Sequence, residues 1–405
     1  MILKLAWRNI WRNKRRSLLT AGSVLFALFF ALIMRSMQLG VYDNMVQNVV
    51  NISTGYIQVH GKDFWDEKTL EYSMEQTDSL EHTLLATEGV ADVVPRLESF
   101  SLASTGRATK AAMILGIDAE KESRYFDFDE GLTKGQIFPD GNGILLSEGL
   151  AEYFKLDIHD TLVLIGQGYH GISANGKYHV SGILKLRSPE LNKQLAFLPL
   201  REAQFLFGAQ HRVTSLVVVP EDHDEFAGLT QEIRSELDTT TYEVMNWREM
   251  MPELVQAIQA DSAGGLIMLF VLYLVISFGI FGTILMMTSE RQYEYGILIS
   301  IGMKRGKLAL TVLLETFFLS VLGVIGACLL ALPPVFYYHA HPINLAGEQM
   351  GNAYEEYGFE PVIPASNDPS IILTHSVIVV IITLVLALYA VWKIYRLQPV
   401  KAMHS

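Results

Sequence analysis

Four long apolar runs, uncharged except for Glu315 in the third, constrain the fold of this 405-residue chain more than any other feature. The hydrocarbon core of a bilayer is about 30 Å thick, and a helix needs about 20 apolar residues to cross it. The runs begin at Ser17, Gly264, Leu308 and Ile371, and they are too long for buried strands. We therefore predict membrane-spanning helices at 17–40, 263–288, 308–338 and 371–392, with Pro333-Pro334 ending the third apolar run.

The first apolar run follows a basic start, as the core of a secretory signal peptide does. It is long for that role, however, and no small-x-small cleavage site follows it. Arg35, Met37 and Gln38 stand where such a site belongs. We expect an uncleaved membrane anchor.

The distribution of Lys and Arg predicts the orientation of the spans. The lead-in 1–16, the loop 289–307 and the tail 393–405 are basic, whereas the loop 339–370 has no Lys or Arg and several acidic residues. Because short basic flanks stay in the cytoplasm, both termini and 289–307 are predicted to be cytoplasmic. The segments 41–262 and 339–370 then lie outside the cytoplasm.

The large segment 41–262 is predicted to be a mixed α+β domain outside the cytoplasm. Strand-like and helix-like runs alternate along it, and we expect a split first subdomain with a second one inserted. Asp222 or Asp224 is expected to cap a helix at 225–237. Acidic side chains outnumber basic ones about two to one, which argues against nucleic acid as a partner. The single cysteine, Cys328, excludes a disulfide within the chain and fits a bacterial envelope protein.

The loop between the second and third spans carries the most informative motif. Ser289 with Gln292 fits a capping box, which predicts the start of a short helix. Gly296 is expected to end its first turn, and Ile297, Leu298 and Ile301 would form an apolar face. Such a helix suits docking into a groove of a partner, although a solvated connection on the membrane surface is the simpler interpretation of the residues alone.

This loop resembles the conserved loop of the FtsX/MacB/LolE family of ABC permeases, with its R-x-x-E-x-G-I-L core. The opening 5–10, the stretches 143–150 and 161–164, and the ending with Arg396, Pro399, Lys401 and Ala402 also resemble that family, in the same order along nearly the whole chain. The resemblance implies a protein of the bacterial inner membrane, with a MacB-like periplasmic core at 41–262 and a coupling helix that docks on an ATPase. The candidate coupling residues are Glu290, Arg291, Glu294, Gly296, Ile297, Leu298, Lys304 and Arg305.

The chain itself is expected to bind no nucleotide. A phosphate-binding loop ends in Gly-Lys-Ser or Gly-Lys-Thr, whereas the Gly-Lys pairs here precede Asp63, Tyr178 and Leu308. The resemblance therefore implies that ATP and Mg are bound by a separate dimer of ATPase subunits. It also implies a second permease subunit, identical or homologous, contact with membrane lipid, and a periplasmic chaperone or adaptor as a further partner.

Two further features of the spans are candidate functional sites. Glu315 is an acid at membrane depth, for which we favour a packing or interface role over a proton relay. Four side chains at spacings of three and four in the first span form a candidate substrate or dimer face, since the resemblance implies that the first two spans line an acyl-chain cavity. They are Phe26, Phe29, Phe30 and Met34. His339 and His341 are interpreted as an ordinary polar boundary and not as a metal site.

We expect no catalytic or metal residues, because the chain has neither a G-x-S-x-G elbow nor an H-E-x-x-H motif. The function that the resemblance favours is a permease subunit of a mechanotransmission-type ABC transporter that releases lipoproteins toward the outer membrane. The alternatives are efflux of a peptide, antibiotic or other amphiphile with a periplasmic adaptor, and FtsX-like transmembrane signalling to an envelope enzyme.

Overall fold

The computed structural model of the chain describes residues 2–12, 14–50, 54–126, 128–139, 143–347, 351, 354 and 360–398. The chain divides into two compact units, one made of Met1–Asp43, Ile258–Asn344 and Val362–Ser405, the other of Asn44–Ala257 and Leu345–Pro361. Among the residues used in the sequence predictions, Pro399, Lys401 and Ala402 lie outside the described part, and so do three of the acidic residues of 339–370, namely Glu348, Glu355 and Glu356.

The helices of the described residues are, in chain order, α1 (Ile2–Arg12), α2 (Lys14–Val49), α3 (Phe64–Glu67), α4 (Asp78–Ala86), α5 (Ala119–Phe126), α6 (Glu148–Phe154), α7 (Leu200–Leu206), α8 (Phe226–Glu236), α9 (Trp247–Met250), α10 (Pro252–Glu290), α11 (Gln292–Ser300), α12 (Arg305–Ala340) and α13 (Pro369–Arg396). The strands are β1 (Ile57–Gly61), β2 (Met74–Glu75), β3 (Val90–Ser104), β4 (Thr109–Ile117), β5 (Leu132–Gly135), β6 (Ile144–Ser147), β7 (Thr161–Gln167), β8 (Ser173–Leu184), β9 (Leu195–Pro199), β10 (Arg212–Val213), β11 (Ser215–Pro220), β12 (Tyr242–Asn246), β13 (Ile343–Asn344) and β14 (Val362–Ile363).

Four of these helices, α2, α10, α12 and α13, are long and apolar enough to cross a membrane. Each extends beyond the corresponding apolar run, because polar flanking residues continue the helix past the hydrocarbon core. Helix α12 also continues through Pro333 and Pro334, where the run was expected to end. Proline is tolerated inside membrane helices because neighbouring groups satisfy the backbone carbonyl that it leaves unpaired.

Small residues let the spans of the first unit pack closely. A Cβ atom on Gly323 of α12 would lie 2.7 Å from the Ala21 carbonyl oxygen of α2, so only glycine allows this approach. Around it, Val24 and Leu28 of α2 are fully buried in one cluster with Ala327 of α12 and residues of α13. Dispersion contacts of this kind, and not the hydrophobic effect, hold helices together in lipid.

The second unit is built on a ten-stranded mixed sheet with β3 as its longest strand. The order is β12-β1-β11-β3-β4-β9-β6-β8-β5, and β7 pairs with β3 and β8. Strand β1 comes from the start of this unit, and its neighbours β11 and β12 come from the end, so one subdomain is split around the other strands. The predicted fold class, four apolar helices with a mixed α/β domain that contains an insertion, is confirmed.

Two details of the second unit differ from expectation or add to it. The N-cap of α8 is Glu225, whose side chain makes no capping hydrogen bond, so neither Asp222 nor Asp224 has the predicted capping position; a 3-10 turn over His223–Glu225 leads into the helix instead. The core also contains a charge pair, since the buried Arg96 donates two hydrogen bonds, of 2.7 and 2.8 Å, to Glu122. A buried pair of this geometry keeps both charges compensated.

Candidate coupling site

The predicted short helix between the second and third spans is α11, but it does not begin with the predicted capping box. Helix α10 continues through Ser289, whose Oγ donates to the carbonyl oxygen of Met286 at 2.9 Å. The N-cap of α11 is Arg291, and its side chain makes no capping hydrogen bond. The capping-box prediction is wrong because the helical hydrogen bonds of α10 extend beyond the apolar run.

Helix α11 ends at Ser300, and the glycine that terminates it is Gly302 and not Gly296. Gly296 is buried in the middle of the helix, so the expectation that it ends the turn is wrong. Gly302 has φ of 100°, its N–H donates to the Ile299 carbonyl at 3.0 Å, and the N–H of Met303 donates to the Leu298 carbonyl at 3.0 Å. This is a Schellman motif, in which a left-handed glycine satisfies the last carbonyls of a helix.

A chain of ion pairs connects α11 to two other helices of the first unit. Arg12 of α1 donates to both carboxylate oxygens of Glu294, at 2.6 and 2.7 Å. Arg291 lies 3.3 Å from Glu294 through Nε, and its Nη1 donates to both oxygens of Glu315 in α12, at 2.8 and 2.6 Å. The order Arg12–Glu294–Arg291–Glu315 alternates in sign, so each charge has an opposite neighbour.

The inner part of this chain is buried and the outer part is exposed. Arg291 and Glu315 are both almost completely buried, whereas Arg12 and Glu294 remain accessible to solvent. The Arg291 guanidinium also lies over the ring of Tyr295, 5.2 Å from its centroid. Glu315 is therefore held as a paired carboxylate against Arg291, the arrangement expected for a packing or interface role.

The candidate coupling residues divide between two faces of α11. Arg291 and Gly296 are buried against the bundle, and Leu298 packs with the core of the spans. The side chains that point outward are those of Tyr293, which is 55% exposed, and Ile301, which is 79% exposed. The predicted coupling set omitted both, although a large aromatic or aliphatic side chain exposed beside a helix is the signal that marks a docking surface.

The two basic residues after α11 have different surroundings. Lys304 is exposed at the N-cap of α12. Arg305 donates to the carbonyl oxygens of Tyr395 and, at 2.9 Å, of Leu397, and thereby caps the C-terminus of α13. A cation at the end of a helix also interacts favourably with its dipole. Arg305 thus joins the start of the third span to the end of the fourth.

Glu290, the remaining acid of the candidate set, is exposed at the end of α10.

The aromatic stripe of the first span is split between two environments. Phe26 and Phe30 are exposed on the surface of α2, whereas Phe29 packs against the core of the spans and Met34 is half-buried. Only Phe26 and Phe30 therefore face outward, as a substrate or dimer face requires.

His339, near the end of α12, forms a hydrogen bond of 2.9 Å with the Ala365 carbonyl, as an ordinary polar boundary residue does.

Comparison with known proteins supports the motif-based prediction. Residues 266–399 match the family model described as FtsX-like permease C-terminal. The lipoprotein-releasing system transmembrane protein LolC of Neisseria meningitidis serogroup B is 20% identical over 224 residues, 53% of this chain and 54% of that protein, so the match spans about half of that relative's length. The protein of the same name from Xylella fastidiosa is 20% identical over 328 residues, 78% of each chain.

Two solved structures are similar to part of the chain. The extracellular domain of the noncanonic ABC-type transporter YknZ from Gram-positive bacteria is 18% identical with a TM-score of 0.34, over 47% of this chain and 100% of that one. The periplasmic region of MacB from Actinobacillus actinomycetemcomitans is 15% identical with a TM-score of 0.36, over 53% and 97%. The match at residues 266–399, which lies over apolar helices long enough to cross a membrane, identifies an FtsX-like permease domain in this part of the chain.

Proposed function

We propose that this permease couples ATP hydrolysis in a separate ATPase dimer to the release of lipoproteins from the inner membrane toward the outer membrane. In this proposal α11 faces the cytoplasm and docks on the ATPase, while the second unit lies in the periplasm. The protein pairs with a second permease subunit, and a periplasmic chaperone accepts the released substrate.

The observation that carries the proposal is the ion-pair chain from Arg12 through Glu294 and Arg291 to Glu315. A force applied to α11 by an ATPase is transmitted directly to α12, because the Arg291–Glu315 pair is buried and makes two short hydrogen bonds. Breaking such a pair leaves an uncompensated buried charge, so the two helices move together.

The outward side of α11 has the chemistry of a docking surface. Tyr293 and Ile301 provide exposed apolar area, and Lys304 adds a positive charge at its edge. Aromatic and aliphatic anchors that enter a groove, surrounded by charged residues, are typical of helix-in-groove recognition.

The choice of lipoproteins is supported by the names of the two LolC relatives and by the outward aromatic side chains Phe26 and Phe30. Each methylene that leaves the bilayer for water costs about 0.8 kcal/mol, so an anchor of about 45 methylenes costs on the order of 35 kcal/mol. A protein that extracts such an anchor needs an apolar surface within the membrane to receive the acyl chains.

The test is a mild-detergent purification of the chain from its native membrane, with the copurified proteins and lipidated species identified by mass spectrometry. An ATPase, a second permease and acylated lipoproteins are expected. The variants Tyr293→Ala and Ile301→Asp are expected to lose the ATPase while keeping the permease, whereas Tyr153→Ala, an exposed tyrosine of the second unit, keeps it.

Other outcomes would contradict the proposed substrate, the transport activity or the coupling role of α11. An ATPase with an adaptor and an outer-membrane channel would replace lipoprotein release by efflux. An ATPase with a cell-wall hydrolase would indicate transmembrane signalling. A preparation that contains no ATPase would overturn the coupling role of α11.

A further inference from the structure

Helix α1 carries two parallel ridges of largely exposed side chains. The first ridge is apolar and consists of Leu3, Trp7 and Trp11, which are 59%, 45% and 55% exposed. The second ridge is basic, is also exposed, and consists of Lys4, Arg8 and Arg12. Both follow the i, i+4, i+8 spacing of one helix face, and each basic residue directly follows an apolar one, so the two ridges lie side by side.

The structure fixes which way these ridges face. The opposite side of α1 is buried through Ala6 and Ile10. The Oγ of Ser17 donates to the carbonyl oxygen of Ile10 at 2.7 Å, which ties the end of α1 to α2. Trp7 makes an edge contact with Phe318 of α12, with ring centroids 5.7 Å apart. Helix α1 is therefore held against the spans, while about half of each side chain in its apolar ridge stays exposed.

The position of α1 in the chain places it at a membrane surface. The apolar run of the first span begins at Ser17, only a few residues after α1 ends. A helix that is amphipathic, rich in Trp on its apolar side and basic on its polar side lies in the plane of the interface. There Trp side chains reach the level of the headgroups, and the adjacent cations reach the phosphates.

We propose that α1 is an interfacial helix whose basic ridge, led by Lys4 and Arg8, binds the phosphate groups of anionic phospholipids. Charge complementarity selects this occupant, because residues 1–16 carry no acidic side chain and Arg15, which follows the ridge, is also exposed. An anionic bilayer surface concentrates such basic segments, and their apolar neighbours anchor them.

The same helix connects the lipid surface to the coupling site. Arg12, the last residue of the basic ridge, is already held by Glu294 of α11 at 2.6 Å. Lys4 and Arg8 therefore provide the lipid contacts, and Arg12 transmits the position of α1 to α11. The proposed lipid site consists only of residues of the first unit. Its test therefore requires no ATPase and is independent of the proposed function.

The experiment reconstitutes the full chain in nanodiscs of equal parts phosphatidylcholine and phosphatidylglycerol, with bromine on the acyl chains of only one of the two lipids. Tryptophan fluorescence quenching is measured for the wild type and for Trp7→Phe/Trp11→Phe, and the difference isolates α1. Brominated phosphatidylglycerol is expected to quench this component about twofold more strongly than brominated phosphatidylcholine, because anionic lipid is enriched around the basic ridge.

Charge variants separate lipid selection from simple membrane contact. Lys4→Gln/Arg8→Gln is expected to make the two brominated lipids equivalent, and Lys4→Arg/Arg8→Lys is expected to keep the preference. Lys134→Gln/Lys185→Gln, which removes two cations of the second unit, serves as the matched control and leaves it unchanged. Equal quenching by both lipids in the wild type would overturn the anionic site. If neither lipid quenches the Trp7 and Trp11 component, the ridge is covered by protein and the whole proposal is wrong.

Discussion

At the scale of single residues, the contact between Arg291 and Glu315 is the one on which the coupling site depends. Both side chains are buried, and removing one partner leaves the other charge without compensation. We expect Glu315→Ala to destabilise the first unit by about 3–5 kcal/mol. The measurement is the apparent melting temperature of the purified protein in detergent. Arg124→Ala, which removes half of an exposed pair with Glu120, is the control that changes little.

A double variant distinguishes loss of stability from loss of coupling. Arg291→Met/Glu315→Leu replaces the pair by apolar side chains, and it is expected to recover most of the stability that Glu315→Ala loses, because no buried charge remains. Glu294 keeps Arg12 as its partner in this variant. If coupling depends on the ion pair, the stable double variant still binds the ATPase but no longer links its activity to the spans. A double variant as unstable as Glu315→Ala would show that the pair contributes by specific packing.

His60 makes the stability of the second unit depend on pH. Burial, with a smaller contribution from the charge of Lys68, lowers its pKa from 6.5 to about 3. The unfolded chain therefore takes up a proton below pH 6.5 that the folded domain does not, and the folded state loses about 1.4 kcal/mol of stability for each pH unit until about pH 3. Above pH 6.5 this residue contributes no pH dependence.

The measurement for His60 is the unfolding of the full chain at a series of pH values between 8 and 4. Fluorescence of Trp65 reports on the site, since its ring centroid lies 5.4 Å from that of His60. His60→Gln is expected to flatten the pH dependence relative to the wild type, while the carboxylates common to both proteins cancel in the difference. Parallel pH profiles for the two proteins would contradict the assignment.

At the residue level, the sequence predicted features that depend on neighbouring positions, but it did not predict contacts between residues far apart in the chain. The basic and acidic residues of the coupling loop were found because they follow each other within a few positions. Arg12 and Glu294 are 282 residues apart, and no pattern in either segment indicates that they meet. Tyr293 was not selected, and Ile301 was expected on the apolar face but was left out of the coupling set, because exposure depends on which face of α11 packs against the bundle.

At the scale of elements, the end of α11 rests on the backbone conformation of Gly302. An alanine at φ of 100° is strained by about 1–2 kcal/mol, so Gly302→Ala is expected to lower the melting temperature and to loosen the last turn that presents Ile301. Gly306→Ala is the matched control, because a Cβ there meets nothing nearer than the Tyr395 hydroxyl at 3.5 Å. Equal effects of the two substitutions would rule out the left-handed conformation as the cause.

The elements that sequence patterns predicted are those with a strong periodic or compositional signal. The four spans follow from long apolar runs, interrupted only by Glu315 in the third, that are typical of membrane helices. The long strand β3 was not predicted, because Pro95 stands within it and proline normally argues against a central strand. Pro95 is paired with Leu216 of β11, whereas the pairing of β3 with β4 begins only at Arg96. The structure tolerates the missing N–H of Pro95 because β4 does not pair with this residue.

At the scale of the whole molecule, each unit is assembled from segments far apart in the chain. The first unit unites three stretches of sequence, and the second unites two. The order of apolar and polar segments predicted this organisation, because membrane spans are apolar whereas the α+β domain is rich in acidic residues. The sequence did not predict the pairing of β1 with β11 and β12, because strand partners are determined by side-chain packing across the sheet.

The proposed orientation of the molecule is testable because Cys328 is the only cysteine. In a Cys328→Ala background, Thr239→Cys places a thiol in an exposed turn of the second unit, and Ser300→Cys places one at the exposed end of α11. A membrane-impermeant maleimide is expected to label the first variant in intact spheroplasts and the second only after permeabilisation, because the basic flanks keep α11 in the cytoplasm. The Cys328→Ala protein without an added thiol gives the background. Labelling of the Ser300→Cys variant in intact spheroplasts would reverse the orientation and remove α11 from contact with any cytoplasmic ATPase.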